Sequence, residues 1–531
     1  MSVSLKEART ASDQASWREF SSRDAALKLY FRSMALAWEI ISSVPPRDSA
    51  RIESELAEAR TIYNRDLDRF LRLAGGHQFR LDDAWQEDLA RRGISVEIRR
   101  TGDVWDPGRF DGIRLAGDYV IVGIDQYHGA DGVGVPVIAE HRPSPHELAE
   151  RQGQTRFFPF WEVYPATAVL RFERAGPGSS IAVLELVDTL RHDRLSIDGR
   201  EQVLAADLTT PTAYHFARSR LKWYEQISMF TPEKLHRKAG LYILHPYEPG
   251  KIPLVMVHGL WSSPMAWARV VNELRGDPVI RSRYQFWAYM YPTGNSFLLS
   301  AANFRTALEE LRQTVDPKRQ DHAFDQMVLV GHSMGGLICR LMIAESSDQI
   351  WRVYSQQPFS RLSASTQDRA MLERAMFFHA NPSVRRVVFI ATPHRGARMG
   401  SNLVGRIGDR LIRLPSPLKK SYDAMLARNG PDFFTDAFRE GPPSSIDELE
   451  LDNPLLRALS QLPIASGVVC HSVIGKLGPG PLKSSTDGLV PYSSSHINWA
   501  ASELVVPKLH ECQDDPRTIQ ELRRILLLHA Q

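Results

Sequence analysis

The sequence predicts an α/β protein, with a mostly parallel sheet covered by helices in its second half and an α+β region before it. From about residue 240, short continuous apolar runs alternate with helical patterns, which is typical of strands buried on both faces. Residues 94–235 instead carry β-branched and apolar runs that Gly, Pro and Asp interrupt. Residues 1–90 repeat apolar side chains at three- and four-residue steps, as amphipathic helices do.

The N-terminal half is interpreted as two regions. Residues 1–90 form a helical segment, in which one helix over 25–42 ends before Pro45-Pro46 and a second runs over 50–73. Residues 91–235 form a β-rich, sandwich-like accessory domain. Its strands are expected at 94–98, 119–124, 168–172 and 181–186.

Residues 236–531 are interpreted as a third region, which contains the mostly parallel sheet. Its strands are expected at 241–244, 253–257, 285–289, 327–330, 384–391, 468–474 and 503–506, with helices near 264–275, 298–314, 334–345 and 516–529. Two insertions, 346–383 and 397–463, exceed ordinary connections, and insertions of that length usually cover a site. An amphipathic stretch at 403–414 is either a lid or a packed surface helix.

Composition narrows the range of partners. The net charge of +3 over 531 residues does not favour nucleic acid. The three cysteines, Cys339, Cys470 and Cys512, lie far apart and form no CxxC pair, so we expect no metal site and no disulfide framework.

The N-terminus shows no apolar signal core, which predicts a cytoplasmic protein, or a periplasmic or membrane-associated one if the true N-terminus is longer.

The most informative motif is Gly-His-Ser-Met-Gly at 331–335. It follows a buried apolar run and precedes a helical pattern, which is the strand, tight turn and helix of a nucleophile elbow. Such a turn exposes the hydroxyl of Ser333 at the helix N-terminus, where the helix dipole is positive. Ser333 is therefore the predicted nucleophile.

A serine hydroxyl needs a base to take its proton and an acid to orient that base. Asp487 follows the strand expected at 468–474, and His510 follows the last strand, which gives the chain order Ser, Asp, His. Carboxyl ends of parallel strands meet at one edge of the sheet, so these side chains are expected to converge. Rival acids are Asp447 and Asp452, and His496 is the rival base.

Acyl transfer also needs donors for a developing oxyanion. The backbone N–H of Met334 is one predicted donor, because it follows the nucleophile directly. The second is expected from His258-Gly259-Leu260-Trp261, after the strand at 253–257, with Leu260 preferred over Trp261. Residues placed after strand ends should form an apolar substrate groove: Trp261, Trp267, Tyr291, Phe297 and His394.

As a set, these segments resemble those of serine esterases and lipases of the α/β-hydrolase superfamily, over residues 240–531. The segment Ala-Thr-Pro-His-Arg-Gly at 391–396 is similar to the post-strand loop of bacterial lipases and GPI inositol-deacylase-like proteins. The resemblance implies an α/β-hydrolase fold with cap or lid insertions and a lipase or esterase of lipid metabolism that needs no cofactor. Relatives of this layout are often exported or lipid-anchored.

The functional hypothesis is a carboxylic-ester hydrolase that cleaves apolar acyl or aromatic esters through an acyl-enzyme intermediate, with a small-molecule or lipid ester as substrate. Two alternatives stay open. One is a serine hydrolase of amides or thioesters, or an acyltransferase; the other is a non-catalytic binding protein on the same fold. The N-terminal half is a candidate for contact with a membrane surface or a polymer. The sequence gives no indication of the oligomeric state.

Overall fold

The computed structural model describes residues 3–43, 50–100, 105–144, 146–147, 162–176, 179–219, 239–398, 416–430, 432–439 and 445–531. The protein divides into two compact units. The first holds the described residues up to 144 together with 162–218, and the second holds residues 146–147 and the described residues from 219 onward. The amphipathic stretch expected at 403–414 lies outside the described residues.

The first unit contains helices and a five-stranded sheet. Its helices are α1 (Val3–Arg18), α2 (Arg23–Ser42), α3 (Ala50–Gly75), α4 (Asp83–Arg91) and α5 (Thr209–Arg218). Its strands are β1 (Val96–Ile98), β2 (Gly112–Leu115), β3 (Gly129–Ala130), β4 (Val135–His141), β5 (Glu162–Gly176), β6 (Ser179–Asp188), β7 (Arg194–Ile197), β8 (Arg200–Val203) and β9 (Ala206–Asp207). The main sheet has the order β1-β6-β5-β4-β2, and β3-β9 and β7-β8 form small ribbons.

Helices and sheet of the first unit share one hydrophobic core. Tyr30 and Phe70 from the helices are buried in the same cluster as Val137 and Leu186 from the strands. The Tyr63 hydroxyl accepts from Leu170 N–H and donates to Leu170 C=O, each at 2.8 Å, which fixes α3 against β5. The predicted helical segment and β-rich domain therefore form one α+β unit, in which helices cover the main sheet where a sandwich would place a second one.

One expected strand of this unit is absent. Residues 119–124 follow a short 3₁₀ turn at Ala116–Asp118 and pair with no strand among the described residues, although their apolar run predicts one. A strand needs a neighbour for its backbone groups as well as β-branched residues. Val120 and Val122 consequently remain exposed, at 90% and 88%.

The second unit contains the predicted parallel sheet. Its strands are β10 (Gly240–Ile243), β11 (Ile252–Val257), β12 (Tyr284–Met290), β13 (Met327–His332), β14 (Val384–Ile390), β15 (Val469–Gly475) and β16 (Ser502–Val506). Its helices are α6 (Ala268–Gly276), α7 (Pro278–Arg283), α8 (Phe297–Val315), α9 (Met334–Leu341), α10 (Gln349–Tyr354), α11 (Thr366–Met376), α12 (Ser416–Asn429), α13 (Asp436–Arg439), α14 (Ser445–Glu448), α15 (Pro454–Gln461), α16 (Tyr492–Ser495) and α17 (Pro516–His529).

The strand order of this sheet is β10-β12-β11-β13-β14-β15-β16, and only β10 runs antiparallel to its neighbour. All six residues of β11 and of β13 are buried, as expected for strands covered on both faces. The α/β-hydrolase fold expected for this half is confirmed. Because β11, β13, β15 and β16 are parallel, the loops that follow them leave the same edge of the sheet, where the predicted site residues stand.

Candidate active site

Ser333 occupies a strained turn between β13 and α9. Its φ of 53° and ψ of −127° lie where a residue with a side chain rarely occurs, and its N–H donates to Ile390 C=O at 2.8 Å. The turn requires glycine at 331, because a Cβ there would stand 2.6 Å from Gly335 O and from Gly336 Cα. The strand and helix thus approach closely, and the serine hydroxyl is held at the apex.

Three side chains that are distant in sequence meet at this turn. His510 Nε2 lies 2.8 Å from Ser333 Oγ, and His510 Nδ1 lies 2.7 Å from Asp487 Oδ2. A carboxylate only accepts, so Nδ1 carries the hydrogen and Nε2 is left to accept the serine proton. The structure therefore brings together Ser333, His510 and Asp487 in one hydrogen-bonded series.

Asp487 is fixed by its own turn. Its Oδ1 accepts from the N–H groups of Leu489 and Val490, at 2.8 and 2.7 Å, and the residue is 1% exposed. These two donors leave Oδ2 for His510 alone.

The loop predicted to supply an oxyanion donor lies against Ser333. A Cβ on Gly259 would stand 3.0 Å from Ser333 Cβ, so a larger residue there would press on Ser333. Leu260 and Trp261 follow directly, and Trp261 has a φ of 53°. Met334 begins α9, and the first N–H groups of a helix have no acceptor within the helix.

Tyr291 holds the loop at His258 and Gly259 in place through a hydrogen bond and a ring stack. Its hydroxyl donates to His258 C=O at 2.7 Å, and the two rings stack with centroids 4.5 Å apart. Burial lowers the pKa of His258 to about 4, so the stacked imidazole is neutral near pH 7. Sequence patterns did not identify this supporting role, since the Tyr291–His258 contact joins two different strand ends.

Four of the five residues predicted to line the substrate groove lie in the core. Trp267, Tyr291, Phe297 and His394 are each at most 1% exposed. That prediction is wrong for these four, because their side chains turn toward packed neighbours: the His394 ring meets Phe389, and its Nδ1 accepts from Arg340 at 3.3 Å. Trp261 is partly exposed and is the one predicted groove residue with accessible surface.

The rival acid and base do not join the hydrogen-bonded series. His496 pairs with Glu503 at 2.6 Å, and its ring stacks on Tyr492. The side chain of Asp452 is 83% exposed and pairs with Arg457. Both therefore belong to local surface contacts of other segments.

Two buried residues of the region make contacts that the sequence did not predict, although His332 was expected to pack in the elbow. His332 donates its Nε2–H to the C=O of His510 at 3.0 Å, and only its place inside the elbow motif signalled a role. Glu448, from the second insertion, is 1% exposed and accepts from Phe297 N–H at 2.9 Å. Burial raises the pKa of Glu448 to about 8.

The described residues present no candidate metal site. Among them, no three His, Cys, Asp or Glu side chains are grouped so that they would hold a metal ion. Cys339, Cys470 and Cys512 are buried free thiols. None of the described helices has the length and hydropathy that crossing a bilayer requires.

The sequence matches one family profile, that of the alpha/beta hydrolase family, over residues 254–527. No curated protein matches the sequence. Similar solved structures include the mature lipase BlEst2 of Bacillus licheniformis, which is 15% identical, with a TM-score of 0.32 and with 54% of this protein and 97% of that lipase covered. EstA from Clostridium botulinum is 11% identical, with 54% and 88% covered and a TM-score of 0.33. Phospholipase PlaB from Legionella pneumophila is 14% identical, with 52% and 59% covered and a TM-score of 0.30.

Proposed function

Because this protein belongs to the alpha/beta hydrolase family, we propose that it is a serine hydrolase that cleaves carboxylic esters with apolar or aromatic groups. The observation that carries the proposal is the hydrogen-bonded series from Ser333 Oγ through His510 to Asp487, with distances of 2.8 and 2.7 Å. Those distances suit proton transfer without rearrangement.

In the acylation step, His510 Nε2 takes the Ser333 proton while Oγ forms a bond to the ester carbonyl carbon. The carbonyl oxygen becomes an oxyanion, for which the N–H groups of Met334 and Leu260 are the proposed donors. The C–O bond to the alcohol then breaks, and the protonated His510 gives its proton to the departing alkoxide. Asp487 stabilises the imidazolium and stays ionised throughout.

Deacylation repeats these steps with water. His510 takes a proton from water, the resulting hydroxide bonds to the acyl carbon, and the bond to Ser333 Oγ breaks as Oγ regains its proton. The products are an alcohol and a carboxylic acid. The two steps together consume one ester and one water, and the proposed reaction needs no cofactor.

The preference for apolar groups rests on the surface beside the nucleophile. Leu260 is a partly buried residue that packs against the main core of the second unit, and Trp261 follows it with partial exposure. An acyl group placed against these side chains would exclude water from them. The Leu260–Trp261 surface supports an apolar ester over a charged metabolite.

A labelling experiment tests the assignment. A fluorophosphonate probe should modify Ser333 alone, and Ser333→Ala should abolish both the labelling and the cleavage of p-nitrophenyl esters. Labelling at another residue, or undiminished hydrolysis by the variant, would refute the proposal. A protein that neither labels nor hydrolyses any ester would instead support the binding-protein alternative.

A substrate panel separates the remaining alternatives. p-Nitrophenyl esters of increasing acyl length should be cleaved faster than matched amides and thioesters, and added alcohols should not divert the acyl group from water. A thioester or amide preference, or transfer to the alcohol, would contradict the ester-hydrolase assignment while keeping Ser333 as nucleophile.

A further inference from the structure

The first unit carries an exposed apolar loop, here called the valine loop, at residues 119–127. Its root is fixed, because the Tyr119 ring packs edge-on against Tyr214 at 5.2 Å and its hydroxyl accepts from Arg114 at 3.3 Å. Beyond this root Val120 is 90% exposed and Val122 is 88% exposed. Apolar side chains held this far out in water gain free energy when they enter an apolar phase.

A cavity of about 630 Å³, with both polar and apolar walls, opens where the valine loop begins and ends. Gly117, just before the loop, and Tyr127, its last residue, both line the cavity. One face of α3 forms another wall and contributes Arg60 and Arg65. The cavity and the apolar loop are therefore parts of one surface of the first unit.

The cavity presents charges of both signs. Arg60 forms no ion pair with any residue that the structure describes. The Arg65 side chain is 50% exposed, while its Nε pairs with Asp66 at 3.3 Å and its Nη2 donates to the Ser12 hydroxyl. Asp131, on the segment between the valine loop and β4, is exposed at the cavity. The Asn64 side chain at the cavity is held by the backbone, because it donates to Gly132 C=O at 2.7 Å and accepts from Gly134 N–H at 2.9 Å.

We propose that this surface binds a phospholipid membrane with zwitterionic headgroups. Val120 and Val122 enter the boundary of the acyl chains, while Arg60 and Arg65 contact a phosphate and Asp131 contacts the ammonium of the same headgroup. Guanidinium groups suit phosphate oxygens, and a carboxylate suits an ammonium group. The proposal concerns a surface of the first unit and does not depend on catalysis at Ser333.

A protein partner fits this surface less well. Stable protein interfaces bury about 800 Å² on each partner around a packed apolar centre. Here the most exposed apolar side chains of the loop are two valines, next to an open cavity that carries charged groups. A phospholipid membrane fits this arrangement better, because it can take up a protruding apolar loop among its acyl chains and place headgroups beside the cavity.

Vesicle co-sedimentation of the full-length protein tests the proposal. All proteins carry Ser333→Ala, so that no lipid is hydrolysed, and the vesicles contain phosphatidylcholine and phosphatidylethanolamine. Val120→Asp combined with Val122→Asp should weaken vesicle binding at least tenfold, and Arg60→Glu should weaken it severalfold. Val279→Asp is the matched control, because Val279 is 48% exposed in the second unit, and it should leave binding unchanged.

Three results would contradict the proposed membrane binding. The proposal fails if the protein without loop substitutions does not sediment with these vesicles, or if the double valine variant binds as well as Val279→Asp does. It also fails if the protein is a dimer in solution that the double variant converts to monomers, since the surface would then join two copies. Unchanged melting temperatures of the variants establish that a loss of binding is not a loss of folding.

Discussion

His332 donates its Nε2–H to the backbone carbonyl oxygen of His510 across 3.0 Å, so the residue before Ser333 holds the proposed catalytic base. A carbonyl oxygen only accepts, and Nε2 must therefore carry the hydrogen. Burial, and secondarily the neighbouring His510, lower the pKa of His332 to about 3. The ring stays neutral near pH 7, and it acts as a positioning residue that does not compete for the Ser333 proton.

Replacing His332 by Phe should lower kcat about 10- to 100-fold with little change in KM, because the loop that carries His510 loses its anchor. His332→Gln keeps an amide donor and should recover part of the loss. Steady-state kinetics on a soluble p-nitrophenyl ester measure both values. Equal activities of the Phe variant and the wild type would show that the hydrogen bond does not position His510.

Asp487→Asn should lower kcat by a factor on the order of 10⁴. The amide would offer a donor toward His510 Nδ1 and favour the tautomer in which Nε2 cannot accept the serine proton. The same soluble ester assay measures the loss. Asp447→Asn is the control, because Asp447 is the exposed rival acid, and it should keep wild-type kcat. The reverse ranking of the two variants would assign the acid to Asp447.

Gly331→Ala should destabilise the protein by roughly 1–3 kcal/mol or more, as overpacking of a close contact does. The added Cβ would stand 2.6 Å from backbone atoms of Gly335 and Gly336, and backbone atoms do not move aside as a flexible side chain does. Urea unfolding measures the change in free energy. Gly480→Ala is the control, since a Cβ there would meet nothing within 4 Å. A smaller loss for Gly331→Ala than for this control would contradict the packing of the elbow.

Glu448→Gln should change how the free energy of unfolding depends on pH. Burial raises the pKa of the Glu448 carboxyl from 4.5 to about 8 in the folded state. The folded protein therefore holds a proton that the unfolded chain releases, and this contribution is fully present below pH 4.5 and is lost as pH rises through 8. The slope is at most about 1.4 kcal/mol per pH unit, and Gln, which does not ionise, should remove it.

Urea unfolding at about pH 5, 7 and 9, on both sides of the shifted pKa, measures this effect. The free energy of unfolding of Glu448→Gln should rise relative to the wild type as pH increases. Glu450→Gln, at an exposed position of the same segment, should follow the wild type at every pH. Parallel pH profiles of Glu448→Gln and the wild type would mean that the carboxyl is ionised when buried.

The missed strand at 119–124 and the misplaced groove residues have one cause in common. Hydrophobic patterns identify which residues avoid water, but they do not identify the neighbour that covers each one. Val120 and Val122 find no partner strand among the described segments, whereas Trp267 and Phe297 find the core. Both outcomes depend on contacts between segments that are far apart in the sequence.

The sequence by itself determined the parallel sheet, its strand positions and the order of Ser333, Asp487 and His510, because these follow from local periodicity and from which residue types end each strand. Only the tertiary structure decided that helices α1 to α3 and the five-stranded sheet share one core, that His332 anchors His510, and that Tyr291 supports the loop at Gly259. Those relationships arise from contacts between segments that are far apart in the sequence, and no local pattern encodes such contacts.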